Sequence, residues 1–597
     1  MHKYDNQLED FFGLNAGGGS GGRESIKDAL TRRMPLKSRL RLLPKVLSKT
    51  ERYLVLGLAV VFIGSLVAIP ISAYYHYTVA IPADGGSLTE GILGVPRWIN
   101  PLLAQSSDTD RDLASLVFSG LYRYNGQGKL VPDLAEGMPE VTSDGLSYSV
   151  TIRDDALWQD GVPVTADDVV FTVLTAQNTD YGVPLSVRAG WLGVTVEKAS
   201  DKVVIFHLKA KYAQFPNVLT GTDILPKHLW ADVKPSNFSL SELNLKPIGS
   251  GPYKFSSLVK DGQGTIVAYK LQAWDQFYAG RPHIDSLEFK FYSNEDDLIS
   301  AFNSNDIDDL GTLSGMNVDK VRFKSRINLE QLKMPRYFAL FFNQTQSKAL
   351  ADKNVRLALN EATDRIAIIN RALDGNGFLI NSPLMGGILD INPNVPTYDY
   401  DPDKAASVLT SGGWTPGADG ILAHGKDNTL ELKITTSTWS ELDAVAEEVK
   451  AQWEKLGVKV TLEELPIPQL QQVIKDRSYQ VLLFGEIMSI DPDPFTTWHS
   501  SQRQEPGLNL ALYNNPTADK LMEEARATLN PLERMQKYDD FQKILIADIP
   551  AVFLYSPHYL YGLSRDVHGF DTTIIPTPEG RFTDIASWYI NTKRQFK

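Results

Sequence analysis

The sequence predicts an α/β protein carried behind one membrane-spanning helix, and three observations predict it. Its 597 residues exceed what one ordinary core needs, so two or more subdomains are expected. Residues 430–485 read as strand, helix, strand, helix, strand, the alternation of an α/β layer. A nearly unbroken apolar run from Leu54 to Ala73 follows a strongly basic segment.

The α/β pattern is clearest at its start. Leu430, Leu432 and Ile434 alternate with Glu431 and Lys433, which predicts a strand with one buried face. Ser440 with Asp443 resembles a capping box, and Leu442, Val445, Ala446, Val449, Trp453 and Leu456 share one helical face. Gly457 stops that helix, and Val458, Val460 and Leu462 alternate as the next strand. Another helix is expected from Asp352, with Val355, Leu359, Ala362, Ile366, Ile369 and Leu373 on one stripe. Earlier, the segment from Ser147 to Ile152 alternates as a half-buried strand, and no internal repeat is visible.

Twenty residues from Leu54 to Ala73 rise about 30 Å as a helix, the thickness of a bilayer's hydrocarbon core. Between Arg32 and Arg52 stand eight Lys/Arg and one Glu, whereas the first charges beyond the run are Asp84 and Glu90. The positive-inside rule then places residues 1–52 in the cytoplasm as a basic, poorly ordered tail, 53–75 in the membrane, and 84–597 outside the cytoplasmic membrane. Tyr53, Tyr74, Tyr75 and Tyr77 suit the two interfaces. A cleaved secretory signal is the rival, but the run is long for a signal core and so is the tail before it.

Charge and motifs exclude several functions. Residues 1–52 carry a net +5 (eleven basic, six acidic), so the rest of a chain of net charge −13 sums to −18. An acidic body argues against nucleic acid as partner. There is no cysteine, so no disulfide, thiolate site or lipidated N-terminal cysteine is expected. The nine histidines include no pair at metal-ligand spacing. The glycine run 17–22 lacks the strand and helix that a nucleotide loop needs. The segment from Gly420 to Lys426 imitates a phosphate loop, but Asp427 stands where Ser or Thr should be, and a surface hairpin is the better reading. Asp491-Pro492-Asp493-Pro494 reads as a rigid turn, not as paired acid and base. No enzyme, cofactor or metal site is predicted.

Several segments after Asp84 resemble one known family in its own order. They are Ala135-Glu136-Gly137-Met138-Pro139, the stretch from Ser143 to Tyr148, Ile152 through Gly161, and Val164 through Thr172, where Thr165 caps a helix favoured by Asp167 and Asp168. Then come Ile224 to His228, Pro247 to Tyr253, Tyr278 to Asp285, Asp352 to Arg365, and Tyr400-Asp401-Pro402. Together they resemble the bacterial peptide/nickel solute-binding proteins of ABC transporters, extracellular solute-binding protein family 5. The resemblance implies a type II periplasmic-binding-protein-like body of two lobes with an extra subdomain, closing on a hinge around a ligand. Lobe I is expected at about 84–339 plus 551–597 and lobe II at about 340–550. It further implies a monomer that captures peptides and delivers them to permease subunits of an ABC importer, with a peptide sensor of the same fold as the alternative. Most of the matching residues are expected to be scaffold.

The ligand site is expected at two strand ends in lobe II, where ligands of α/β sheets gather. One is Gly485, Glu486, Ile487 and Met488; the other is Thr436, Ser437, Thr438 and Trp439. Aligned on Asp491-Pro492-Asp493, Met488 stands where dipeptide binders of the family place an Asp for the ligand's amine. Glu486 is therefore the expected ammonium partner and Trp439 a flat apolar wall. A longer peptide held by its backbone fits better than a strict dipeptide.

Overall fold

A computed structural model describes residues 48–385, 395–425 and 428–596. The expected basic tail up to residue 47, including the glycine run, lies outside the described residues, as do Lys426 and Asp427. The chain divides into two units, Met1–Ile81 with Thr592–Lys597, and Pro82–Asn591.

Among the described residues of the first unit a single helix runs over Lys49–Tyr77. Ser48 starts it with a capping box: the Glu51 N–H donates to the Ser48 hydroxyl (3.4 Å), and the Ser48 N–H donates to the Glu51 carboxylate (2.8 Å). The helix is long and apolar enough to cross a membrane, and none of its residues is buried. Leu54, Val61 and Ile69 are 65–67% exposed, so apolar side chains point outward on every side. A helix of a soluble surface would bury one stripe instead. It passes directly into the strand Thr78–Ala83, which pairs with the last strand, Asn591–Phe596. Arg594 donates to the Thr78 hydroxyl (2.8 Å) and to the carbonyls of Thr78 and Tyr75, placing a cation at the helix C-terminus. The final strand, in the stretch 551–597 expected for lobe I, thus pairs beside the apolar helix.

The second unit is built on two large sheets. One is mixed and seven-stranded, ordered Ile327–Leu332, Tyr559–Ser564, Asp309–Leu313, Ser87–Leu93, Ser286–Tyr292, Ile266–Ala273, Tyr253–Lys260. A small antiparallel sheet of Glu140–Val141, Ser147–Thr151, Val203–His207 and Thr195–Lys198 shares its hydrophobic core. The other large sheet is six-stranded: Gly377–Leu379, Ala551–Pro557, Arg336–Phe342, Val481–Ile487, Glu431–Ser437, Lys459–Leu465. Its last three strands are parallel and carry the helices Ser440–Lys455 and Ile467–Lys475 between them, as the alternation predicted. Arg336–Phe342 is central. Phe338, Leu340 and Phe342 enter one core with the helix face Leu442, Val445, Ala446, Val449 and Trp453, while Tyr337, Ala339 and Phe341 enter a second core on the opposite face. A strand buried on both sides reads as a continuous apolar run, and Tyr-Phe-Ala-Leu-Phe-Phe is one.

Three local expectations are corrected. The six-stranded sheet contains Arg336–Phe342 and Ala551–Pro557 whole, so the chain crosses between sheets at 333–335 and at His558, not near 340 and 550. The helix expected from Asp352 is two, Lys353–Glu361 and Arg365–Ala372, because Asp364 turns and caps the second; Ile366 is consequently 60% exposed. The helix Ser440–Lys455 is preceded by Trp439 at its N-cap without a side-chain cap, so Ser440 is inside the helix and forms no capping box. Thr165 and Asp168, by contrast, do form one. The segment before Lys426 is a hairpin, Thr415–Pro416 against Leu422–Ala423.

Candidate ligand-binding cavity

A cavity of about 1040 Å³ opens in the second unit. That is near the upper end of ordinary small-molecule sites, about 300–1,000 Å³. Its wall draws on residues 101–133, 217–223, 277–283, 487–490 and 569–587, with Pro252. Most of it therefore comes from helices and loops whose buried residues share a core with the seven-stranded sheet; the six-stranded sheet contributes the end of one strand.

Three arginines stand in the wall, each with carboxylates of its own. Arg111 pairs with Asp108 and with Glu579 (3.2 Å), Arg123 with Asp584 (2.9 Å) and Asp133 (3.7 Å), and Arg281 with Asp275 (2.6 Å) and Asp285 (2.5 Å). Asp133 also accepts a hydrogen bond from the Tyr278 hydroxyl (2.5 Å). Burial raises the pKa of Asp133, against the pull of Arg123. Asp223 is pushed up to about 7 by burial and then by the neighbouring carboxylates Asp133 and Glu579.

Of the residues expected to line the cleft, Ile487 and Met488 do so. Glu486 does not. On the strand Val481–Ile487 it lies opposite Tyr337, whose hydroxyl donates to Oε2, while Oε1 has no partner. The carboxyl is 8% exposed, and burial lifts its pKa to about 8, opposed by the Tyr337 hydrogen bond and Arg477. Gly485 lies opposite Phe338, and a Cβ there would come within 2.6 Å of that ring; its bareness serves packing. Thr436 and Ser437 are buried, Thr436 donating to the Leu483 carbonyl (3.0 Å). Thr438 and Trp439 are exposed but outside the cavity wall, with the Trp439 ring 5.9 Å from that of Phe338. Strand alternation put Glu486 and Met488 on one side, but it could not show that Tyr337 covers the first and leaves the second open.

The sequence reading missed the wall's larger part. One of its segments, Ala279, Gly280, Arg281 and His283, fell within a stretch noted above and read as scaffold. Pro252 fell within another such stretch; the remaining segments carry no local signature, because they meet only in three dimensions.

Comparison with known proteins decides the family. The model of bacterial extracellular solute-binding proteins, family 5, middle region, matches residues 129–507. The chain belongs to this family. The oligopeptide-binding protein AppA of Bacillus subtilis is 31% identical over 526 residues, 85% of this chain and 92% of that protein. Its structure in complex with a nonapeptide aligns with a TM-score of 0.68 at 28% identity, covering 86% of this chain and all of that one. NikZ of Campylobacter jejuni, in complex with Ni(L-His), aligns at a TM-score of 0.69 and 28% identity over 85% of this chain and all of NikZ. The two-lobed α/β fold and the absence of an enzymatic role follow from that membership.

Several of the family's matching segments are scaffold here for visible reasons. Gln159 donates to the carbonyls of Gly251 (3.2 Å) and Tyr253 (2.9 Å) and accepts from the Gly249 N–H (3.1 Å), tying one segment to the next. A Cβ on Gly249 would stand 1.9 Å from the Val117 carbonyl oxygen, so only glycine fits. Asp491-Pro492-Asp493 is spent on a clasp between the segment after strand Val481–Ile487 and residues 212–217. Asp491 pairs with Arg534 (3.0 Å), and its carbonyl accepts from Asn217 (2.7 Å). Asp493 pairs with Arg526 (2.9 Å) and accepts from the Tyr212 hydroxyl (3.1 Å). Gln214 donates to the Pro492 carbonyl (3.2 Å).

Proposed function

We propose that this chain is a membrane-anchored receptor that encloses peptides between its lobes and delivers them to an ABC importer. The observation that carries the reading is the cavity, larger than most small-molecule sites and set in a two-lobed body of family 5. A relative at 31% identity is named for oligopeptides and has been seen with a nonapeptide. The lobes divide at 333–335 and 558, and hinge closure presents the loaded form to the permease subunits. Mass spectrometry of small molecules released from the purified full chain tests the ligand class. Peptides are expected, and a single non-peptide solute at full occupancy would refute the reading.

The anchor reading rests on the exposed apolar helix Lys49–Tyr77, the basic residues before it, and its direct passage into a strand that the chain's last strand pairs with. Full-length protein is expected to stay in membranes through alkaline carbonate washing, with residues beyond 84 open to protease on spheroplasts. A mature N-terminus at residues 75–85 would establish a cleaved signal instead.

A further inference from the structure

The cavity wall is unevenly compensated. Arg111, Arg123 and Arg281 are each neutralised by the carboxylates beside them. Asp133 has both the Tyr278 hydroxyl and Arg123. Asp223 has neither: no hydrogen bond or ion pair reaches its carboxylate among the described residues, and the charged groups acting on it, Asp133 and Glu579, are both negative.

The backbone holds it in this position. Gly120 and Asp223 form an antiparallel bridge, and the Ile224 N–H donates to the Ser119 carbonyl (3.0 Å). A Cβ at Gly120 would lie 3.1 Å from Asp223 Oδ1, so glycine leaves the carboxylate uncovered on that side. Asp223 keeps part of its surface, and it forms part of the cavity wall. A partly buried carboxylate with only like charges around it is destabilising until a cation arrives.

We propose that Asp223 is the ion partner of a cationic group on the bound ligand, so that the cavity selects peptides carrying a primary ammonium or guanidinium near that wall. The inference rests on the peptide reading above and adds the ligand's charge class. It moves the ammonium site from Glu486, already bonded to Tyr337 outside the wall, to the opposite lobe.

The test offers the detergent-purified full chain an equimolar mixture of nonapeptides in four forms. These are free N-terminus, acetylated N-terminus, internal lysine with acetylated N-terminus, and acetyl-lysine with acetylated N-terminus. Retained peptides are counted by mass spectrometry. Wild type is expected to favour members with a cation over neutral ones on the order of tenfold to a hundredfold, the range of a charge-assisted hydrogen bond. Asp223→Asn should retain peptides without that preference, and Asp223→Glu should keep it. Circular dichroism checks folding, and Asp223→Ser takes the place of the Asn variant if that one does not fold. An undiminished preference in the neutral variants, or none in wild type, overturns the assignment while leaving peptide binding in place. A wild type that retains no peptide overturns the peptide reading and this inference with it.

Discussion

Two groups of buried carboxylates in the same lobe are treated in opposite ways. Around Arg581 every carboxylate has a partner, although two of them share one guanidinium and burial still lifts Asp112 to about 7. The guanidinium is fully buried, donating to Glu90 (2.8 Å) and in bidentate fashion to Asp112 (both 2.7 Å), with its plane 4.1 Å over the Phe582 ring. Tyr561 donates its hydroxyl to Glu90 (3.0 Å) on the far side. Around Asp223 nothing answers the charge. The first arrangement binds together strands and loops that are distant in the chain. The second holds back a favourable interaction that an incoming ligand can supply. The contrast teaches that an ion pair completed inside the protein stabilises the fold, while one left half-made on a cavity wall stabilises a complex.

Breaking the completed group should have the largest effect. Arg581→Met strands Glu90 and Asp112 in the core and is expected to cost about 3–5 kcal/mol in urea unfolding. A loss under about 1 kcal/mol would show that water reaches the pair. Asp223→Asn should act with the opposite sign, raising stability by about 2 kcal/mol at pH 8 without ligand. The sign follows from the pKa of about 7 in the fold, above the ordinary carboxylate value. The protonated form is favoured by folding, so wild type loses stability as pH rises from about 4 to 7, and the Asn variant should lose less there.

Glu486→Gln sharpens the comparison within the second lobe. Its carboxyl is raised to about 8, so the stability it contributes is present below about 4.5 and is lost as pH climbs through 8. The Gln variant, which can still accept the Tyr337 hydroxyl, should be more stable by about 1–2 kcal/mol at pH 9 and equal near pH 4. It should weaken free and acetylated peptides equally. A selective loss of the free peptide would return the ammonium site to Glu486. The smallest expected effect belongs to the clasp. Tyr212→Phe removes one hydrogen bond to Asp493 and should weaken peptide binding by about 0.5–1.5 kcal/mol, measured by calorimetry.

Legibility in the sequence followed locality. In the six-stranded sheet, Glu431–Ser437, Lys459–Leu465 and Val481–Ile487 are consecutive strands, and each apolar alternation could be read in place. The seven-stranded sheet sets Ser87–Leu93 between Ser286–Tyr292 and Asp309–Leu313, neighbours about two hundred residues away, and no periodicity reports that. Helical spacing also ran smoothly through Thr363 and Asp364, where the Asp side chain caps a new helix instead of continuing the old one. At the site, residue types near Met488 pointed to a carboxylate, and Glu486 was the nearest. Choosing between it and Asp223 required knowing which one already has a partner, and Tyr337 lies 149 residues before Glu486.

The clasp of Tyr212 and Gln214 on residues 492 and 493, none of them in the cavity wall, has a kinetic consequence. Its bonds join protein to protein, so their strength is the same whichever ligand is enclosed. They set the fraction of molecules whose lobes are together before any ligand arrives, and observed affinity scales with that fraction. Strengthening the clasp would tighten every ligand by one common factor and lengthen every residence time alike. Discrimination among ligands would be untouched, since it depends on the cavity wall. Evolution can therefore retune how long this receptor holds its cargo without changing which cargo it takes.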